Sequence, residues 1–180
     1  MNVAGRFRTR PANFVVSFGM LTKKAKYGLK AMVYLAGVEP GRTALVAEIA
    51  ASEQIPKKFL DAILSELRNA GFVHSKKGKG GGYMLARLPA EISVGNLVRA
   101  LDGPLAPIQC ASRRLYRKCE DCADETGCAV RLVMLEARDA IARVLDNTSL
   151  EQMRALGVDT LAPAKKKPRK AAGPAAMDMA

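Results

Sequence analysis

Between two short apolar runs, Phe72-Val73-His74-Ser75 and Tyr83-Met84-Leu85, the chain reads Lys76-Lys77-Gly78-Lys79-Gly80-Gly81-Gly82. Seven residues made only of lysine and glycine cannot sustain a helix, because glycine leaves too much backbone freedom to be lost. With strand-like segments on either side, the stretch is predicted to be the tip of a β-hairpin. Glycine there lets the backbone take positive φ and approach a large ligand closely, while lysines reach phosphates or a minor groove. A phosphate-cradling nucleotide loop is the competing chemistry, but it needs a glycine turn that leads into a helix and ends in Gly-Lys-Ser/Thr. Here the glycines lead into Tyr83-Met84-Leu85, so no nucleotide cofactor is expected. His74, the one histidine, reads as a strand residue rather than a metal ligand.

What precedes the hairpin is helical. Leu21, Ala25, Leu29, Met32, Val33 and Ala36 fall at helical spacing, with Thr22 as N-cap and Gly37 as terminator. A second helix over 46–51 presents Ile49 and Ala50 to the core, and Ser52-Glu53-Gln54 breaks it. Ile55-Pro56 begins a third helix, with Pro56 in a first turn that needs no N–H. Phe59, Leu60, Ile63, Leu64 and Leu67 line one face of it, and Lys57, Lys58, Asp61, Ala62, Ser65 and Arg68 the other. Two short helices joined by a tight turn, the second with a polar basic face, form a helix–turn–helix signature.

The charge supports that reading by its position. The 180 residues carry a net charge of +12, with +7 falling on residues 20–88 and −2 on 89–160. A basic half is the electrostatic footprint of a polyanion binder, since each neutralised phosphate releases counterions. No apolar stretch approaches the roughly 18 residues of a membrane span, and four cysteines are too few for a disulfide-dense secreted scaffold. We therefore expect a cytoplasmic protein without membrane contact. Residues 1–19, with Arg6, Arg8 and Arg10 and no acid, read as a disordered N-terminal extension. Residues 161–180, rich in Ala, Lys and Pro, read as a disordered basic tail.

Ser93 caps a fourth helix over 94–101, stopped by Asp102-Gly103-Pro104. Then Cys110, Cys119, Cys122 and Cys128 fall within 19 positions of loop. In a reducing compartment such a cluster more often binds metal than forms disulfides. Arg113, Arg114, Arg117 and Lys118 would lower the thiol pKa values and favour thiolates. Structural zinc usually shows two Cys-x2-Cys knuckles, whereas only Cys119-Glu120-Asp121-Cys122 is present. The irregular spacing suits an iron–sulfur cluster, 2Fe–2S or 4Fe–4S; zinc and metal-free thiols are the alternatives. After the loop, Val130, Met134, Ala137, Ile141 and Val144 step by four, three, four and three, a coiled-coil seam able to pair two subunits.

Together these segments resemble the Rrf2 family of bacterial winged-helix transcription regulators, the group of IscR, NsrR, RirA and CymR. The resemblance covers residues 20–155 and rests on Leu21-Thr22-Lys23, Tyr27-Gly28-Leu29-Lys30-Ala31-Met32, Ala47-Glu48-Ile49-Ala50, Ile55-Pro56 with Phe59-Leu60, Leu67-Arg68-Asn69-Ala70-Gly71-Phe72-Val73, Gly80-Gly81-Gly82-Tyr83 and the cysteine loop before a long helix. It implies a homodimer on palindromic double-stranded DNA, with a cluster held by three loop cysteines. Cys110, Cys122 and Cys128 match those positions, and Cys119 is an extra thiol. Where some members place a fourth ligand, this chain has Arg131 or Lys26, neither of which ligates, so Cys119 is the substitute. The base-reading positions fall on Lys58 and Asp61, and the minor-groove position on Lys77.

The expectation is a mainly α chain with a small β wing: a winged helix–turn–helix over 20–88, then a cysteine loop and long dimerisation helix over 89–160. DNA contacts are assigned to Lys57, Lys58, Asp61, Lys76, Lys77, Lys79, Gly80 and Gly81. The function expected is a repressor whose cluster senses iron, nitric oxide or redox state. The alternatives are a zinc-bound or metal-free thiol regulator of the same fold, or a small iron–sulfur electron carrier. No acid–base pair or partnered nucleophile is found, so no enzyme is expected.

Overall fold

Thr22 starts the first helix, α1 (Lys23–Ala36), because its side-chain oxygen accepts the Ala25 N–H at 3.2 Å, filling one orphan donor of the first turn. In the computed structural model, which describes residues 21–161 and side chains as far as residue 157, Gly37 ends that helix as expected. The expectations for residues 1–19 and for the tail lie outside the described residues, apart from Leu161. Ala25, Leu29, Met32 and Leu35 are buried along one stripe of α1. Thr22 also donates through its backbone N–H to Asp102 at 2.9 Å and through its hydroxyl to the other carboxylate oxygen.

The second helix, α2 (Val46–Glu53), runs two residues beyond the expected end. Ser52 and Glu53 stay helical, and the break falls at Gln54, which adopts φ 54°. The third, α3 (Lys57–Asn69), begins one residue late: Pro56 is its N-cap and lies outside the first turn. Leu60, Ile63, Leu64 and Leu67 are buried as expected, but Phe59 is 59% exposed. Phe59 precedes Leu60 by one 100° step, which puts it at the edge of the apolar stripe where no other segment covers it.

The wing is a two-stranded antiparallel sheet of β1 (Val73–Lys76) and β2 (Gly82–Leu85), with Val73 opposite Leu85 and Lys76 opposite Gly82. Ala44 pairs with Tyr83 on the other edge of β2, through two backbone hydrogen bonds of 2.8 Å. Ala44, two residues upstream of α2, thus anchors β2, a long-range pairing that local pattern does not show.

Ser93 caps α4 (Val94–Asp102), accepting from the Asn96 N–H at 3.2 Å. After the cysteine loop come α5 (Ala129–Asp146) and α6 (Leu150–Leu161), the latter not expected. Its signal was nevertheless present as Ser149-x-x-Gln152, a capping box: the Ser149 oxygen accepts from the Gln152 N–H at 3.1 Å, and the Gln152 side chain accepts from the Ser149 N–H at 2.8 Å. The core is continuous across the expected 88/89 division, since Leu97, Val98, Leu101 and Leu150 join Leu29, Met32, Leu60 and Leu64 in one cluster. The architecture is mainly helical with a small β wing. Among the described residues no helix is long and apolar enough to cross a membrane.

Candidate nucleic-acid interface and cysteine loop

Burial of Leu60, Ile63 and Leu64 fixes the roll of α3 and turns Lys57, Lys58 and Asp61 to solvent. The wing exposes Lys76, Lys77, Lys79 and Gly80. Elsewhere in the basic half, lysines are partly neutralised: Lys24 meets Glu66 at 3.1 Å and Lys30 meets Glu53 at 3.4 Å. None of the five lysines on the α3 start and the wing has an ion pair within 4.0 Å among the described residues.

Gly81 requires a correction, because it is buried and cannot present itself to a ligand. Its N–H donates to the Gly78 carbonyl at 2.9 Å, and a Cβ there would sit 2.5 Å from the Lys76 carbonyl oxygen. It closes the turn. Gly82 has φ +140°, and a Cβ on it would strike the Ala44 carbonyl oxygen at 2.4 Å. The Thr43 hydroxyl donates to the Gly80 carbonyl at 2.8 Å, tying the tip to the segment before α2. Sequence reasoning missed Thr43, which lies 37 positions from its partner and carries no local signal.

The cysteines divide. Cys110 is buried in a helical turn over 109–111, and its carbonyl accepts from Arg131 Nε at 3.0 Å, so Arg131 ties the loop's start to α5. Cys119, Cys122 and Cys128 lie near one another at the loop's end, with the Cys122 and Cys128 sulfurs 3.8 Å apart and the Cys122 thiol also hydrogen-bonded to Cys119. Glu125 organises this end: it accepts from the Cys119 N–H at 2.8 Å and from the Tyr116 hydroxyl, and those bonds hold its carboxyl below the usual range. Cys128 is the N-cap of α5, and the Arg131 N–H lowers its thiol pKa, the helix N-terminus favouring a thiolate. Cys122, donating to Cys119 and Cys128, is pushed up to about 12.

The donor set, four thiols within one loop, suits an iron–sulfur cluster or zinc in chemistry. A separation of 3.8 Å between two sulfurs also matches the edge of an S4 tetrahedron about a metal at ~2.3 Å. Closure is incomplete: among the described residues no three His, Cys, Asp or Glu side chains surround a common point fit for a metal. The thiols have to draw closer for all four to ligate.

The α5 seam differs in detail from the expected one. Val130, Val133 and Val144 are 58–64% exposed. Ala140 is exposed and Ala137 half-buried between them, while Met134 and Ile141 are half-buried at the stripe's edge. The unpartnered stripe is therefore Val130, Val133, Ala137, Ala140 and Val144, rotated from the expected line, since Leu145 and Arg138 set which side packs inward.

A family model described as "Rrf2: Iron-dependent Transcriptional regulator" matches residues 21–155. An rrf2-like HTH-type transcriptional regulator of Rhodobacter capsulatus is 42% identical over 141 residues, 77% of this chain and 94% of that protein. Among solved structures, CymR, described as the global cysteine regulator of B. subtilis, has a TM-score of 0.63 at 33% identity, covering 76% of this chain and 96% of that one. IscR of T. potens has a TM-score of 0.63 at 26% identity, covering 79% of this chain and 91% of that one.

Proposed function

The chain belongs to the Rrf2 family of transcriptional regulators, and from that premise we propose that it is a cytoplasmic repressor that binds a palindromic operator as a homodimer. The observation that carries the DNA reading is the lysine–glycine wing, which has no ion pair among the described residues and is tied to the base of α2 through Thr43 and Ala44. Lys76, Lys77 and Lys79 contact phosphate and minor groove, Gly80 lets the tip approach, and Gly81 shapes the turn. Lys57, Lys58 and Asp61 enter the major groove on α3. The α5 stripe pairs two copies, so that two recognition helices meet two half-sites.

Salt-dependent binding to randomised duplexes tests this assignment. Lys77→Ala and Lys79→Ala weaken binding to every sequence and flatten the salt dependence, each phosphate contact contributing about one unit of slope. Lys58→Ala and Asp61→Ala change which sequences are preferred, each base contact contributing about 1–3 kcal/mol. Unchanged preferences in both α3 variants remove those residues from the reading surface.

The cysteine loop is the sensor. Cys110, Cys122 and Cys128 hold an iron–sulfur cluster, with Cys119 as fourth ligand, and the family model's description as iron-dependent supports this. A bound cluster supplies one-electron redox chemistry and reactivity toward nitric oxide or oxygen. The chain's own part is to bind through thiolates and to link ligation to α5 through Cys128 and the Arg131–Cys110 bond.

A second reading is favoured by the 3.8 Å Cys122–Cys128 contact without closure of all four thiols. Here peroxide takes two electrons and two protons from this pair, forming a disulfide and water. Anaerobic purification with an absorbance spectrum and iron and zinc counts separates the readings. A coloured, iron-loaded protein supports the cluster. A colourless zinc protein makes the loop a structural site. A metal-free protein whose DNA binding responds to peroxide and recovers with dithiothreitol supports the thiol pair.

A further inference from the structure

Arg138 is the buried residue on α5, only 7% exposed, and its Nε has no hydrogen-bond partner among the described residues. A buried guanidinium with an unsatisfied donor is costly, so it calls for an explanation. It lines a 380 Å³ pocket that also receives Arg99, Arg113, Arg114, Asp139 and Asp146. The acids there are already engaged. Asp146 takes both Arg99 nitrogens, at 2.6 and 2.8 Å, while Asp139 is shared between Arg138 at 2.9 Å and Arg113 at 3.3 Å. Arg114 forms no hydrogen bond or ion pair within 4.0 Å among the described residues. Four guanidiniums against two carboxylates leave a surplus of two positive charges in a pocket also lined by Pro104, Leu105 and Leu115.

We infer that this pocket binds a small organic dianion, a dicarboxylate or a phosphate monoester, as a second input to the regulator. Guanidinium edges match carboxylate and phosphate oxygens in bidentate geometry, and the exposed Arg113 and Arg114, which line the pocket beside Arg138, present such edges. The apolar lining residues accept a short hydrocarbon portion. The pocket is not the expected dimer seam: at about 100° per residue, Arg138, Asp139, Ala142 and Asp146 point roughly opposite to Val130, Val133, Ala137 and Val144. Its walls come from the end of α4, the start of the cysteine loop at Ser112–Leu115 and α5. A bound dianion ties these three segments together, independently of whether the cysteines carry a cluster.

Calorimetric titration of the full chain with succinate and with phenyl phosphate tests the inference. Saturable binding with Kd of about 0.01–1 mM is expected for at least one probe, and the probe that binds identifies the head group. Arg114→Ala is the decisive variant, because Arg114 forms no hydrogen bond or ion pair among the described residues and acts on the fold only through its charge near Asp146; it weakens binding at least ~10-fold. Arg138→Lys, which keeps the charge but loses the planar edge, weakens it as well. Lys77→Ala, on the wing, leaves probe affinity unchanged, so failure here is distinguishable from failure of the DNA reading. Hydrogen exchange of the 113–115 amides slows on binding. No saturable binding of either probe overturns the inference, and so does binding that Arg114→Ala leaves unaltered.

Discussion

Gly82→Ala is the substitution whose consequence the geometry states most fully. The new Cβ falls 2.4 Å from the Ala44 carbonyl oxygen and 2.7 Å from its carbon, both backbone atoms that no rotamer change can move. Relief requires parting β2 from Ala44, which breaks the two 2.8 Å hydrogen bonds between Ala44 and Tyr83. Two net hydrogen bonds at ~1 kcal/mol each and about 1–2 kcal/mol of strain at φ +140° sum to roughly 3–4 kcal/mol. At about 2–4 °C per kcal/mol for a chain of this size, the melting temperature falls by roughly 6–16 °C. Gly78→Ala is the control: φ is +89° but a Cβ meets nothing within 4 Å, so only the strain, about 1 kcal/mol, applies. Circular-dichroism melting gives the two shifts, and hydrogen exchange at Ala44 and Tyr83 locates the damage. DNA affinity falls with Gly82→Ala, because the lysines lose their fixed position. Equal melting temperatures for the two variants, with Ala44 and Tyr83 still protected, would refute the anchoring argument.

Two further outcomes follow from α5. Val144→Asp places a charge in the exposed apolar stripe, where Val144 is 64% exposed in the single chain; the dimer dissociates while the monomer melts within about 0.5 kcal/mol of wild type, and light scattering that still reports a dimer excludes the stripe as the interface. Asp146 is held below the ordinary carboxylate range first by its hydrogen bonds to Arg99, so its contribution is complete above its unfolded value of about 3.9 and is lost as pH falls through the lower folded value. The pair is partly exposed and contributes under about 1 kcal/mol; the urea midpoint difference between wild type and Asp146→Asn is therefore present at neutral pH and shrinks toward zero in acid, and a pH-independent difference contradicts the assignment.

What the sequence determined alone is what depends on neighbours along the chain. The Leu29, Met32 spacing, the Thr22 and Ser93 caps, the Leu60–Leu67 stripe and the glycine hairpin all encode their structure within one or two turns, and each formed where expected. The α6 capping box is equally local, Ser149 and Gln152 lying within one turn. Phe59 and the roll of α5 were not decidable that way, since an apolar residue at a stripe's edge is buried only if some distant segment arrives to cover it. The Thr43–Gly80 bond, the Ala44–Tyr83 bridge, the Arg131–Cys110 bond and the arginines gathered at Arg138 join residues from 21 to 47 positions apart. Their partners are chosen by how the helices pack around α1, and that packing is a property of the whole core, set only when the chain has closed on itself.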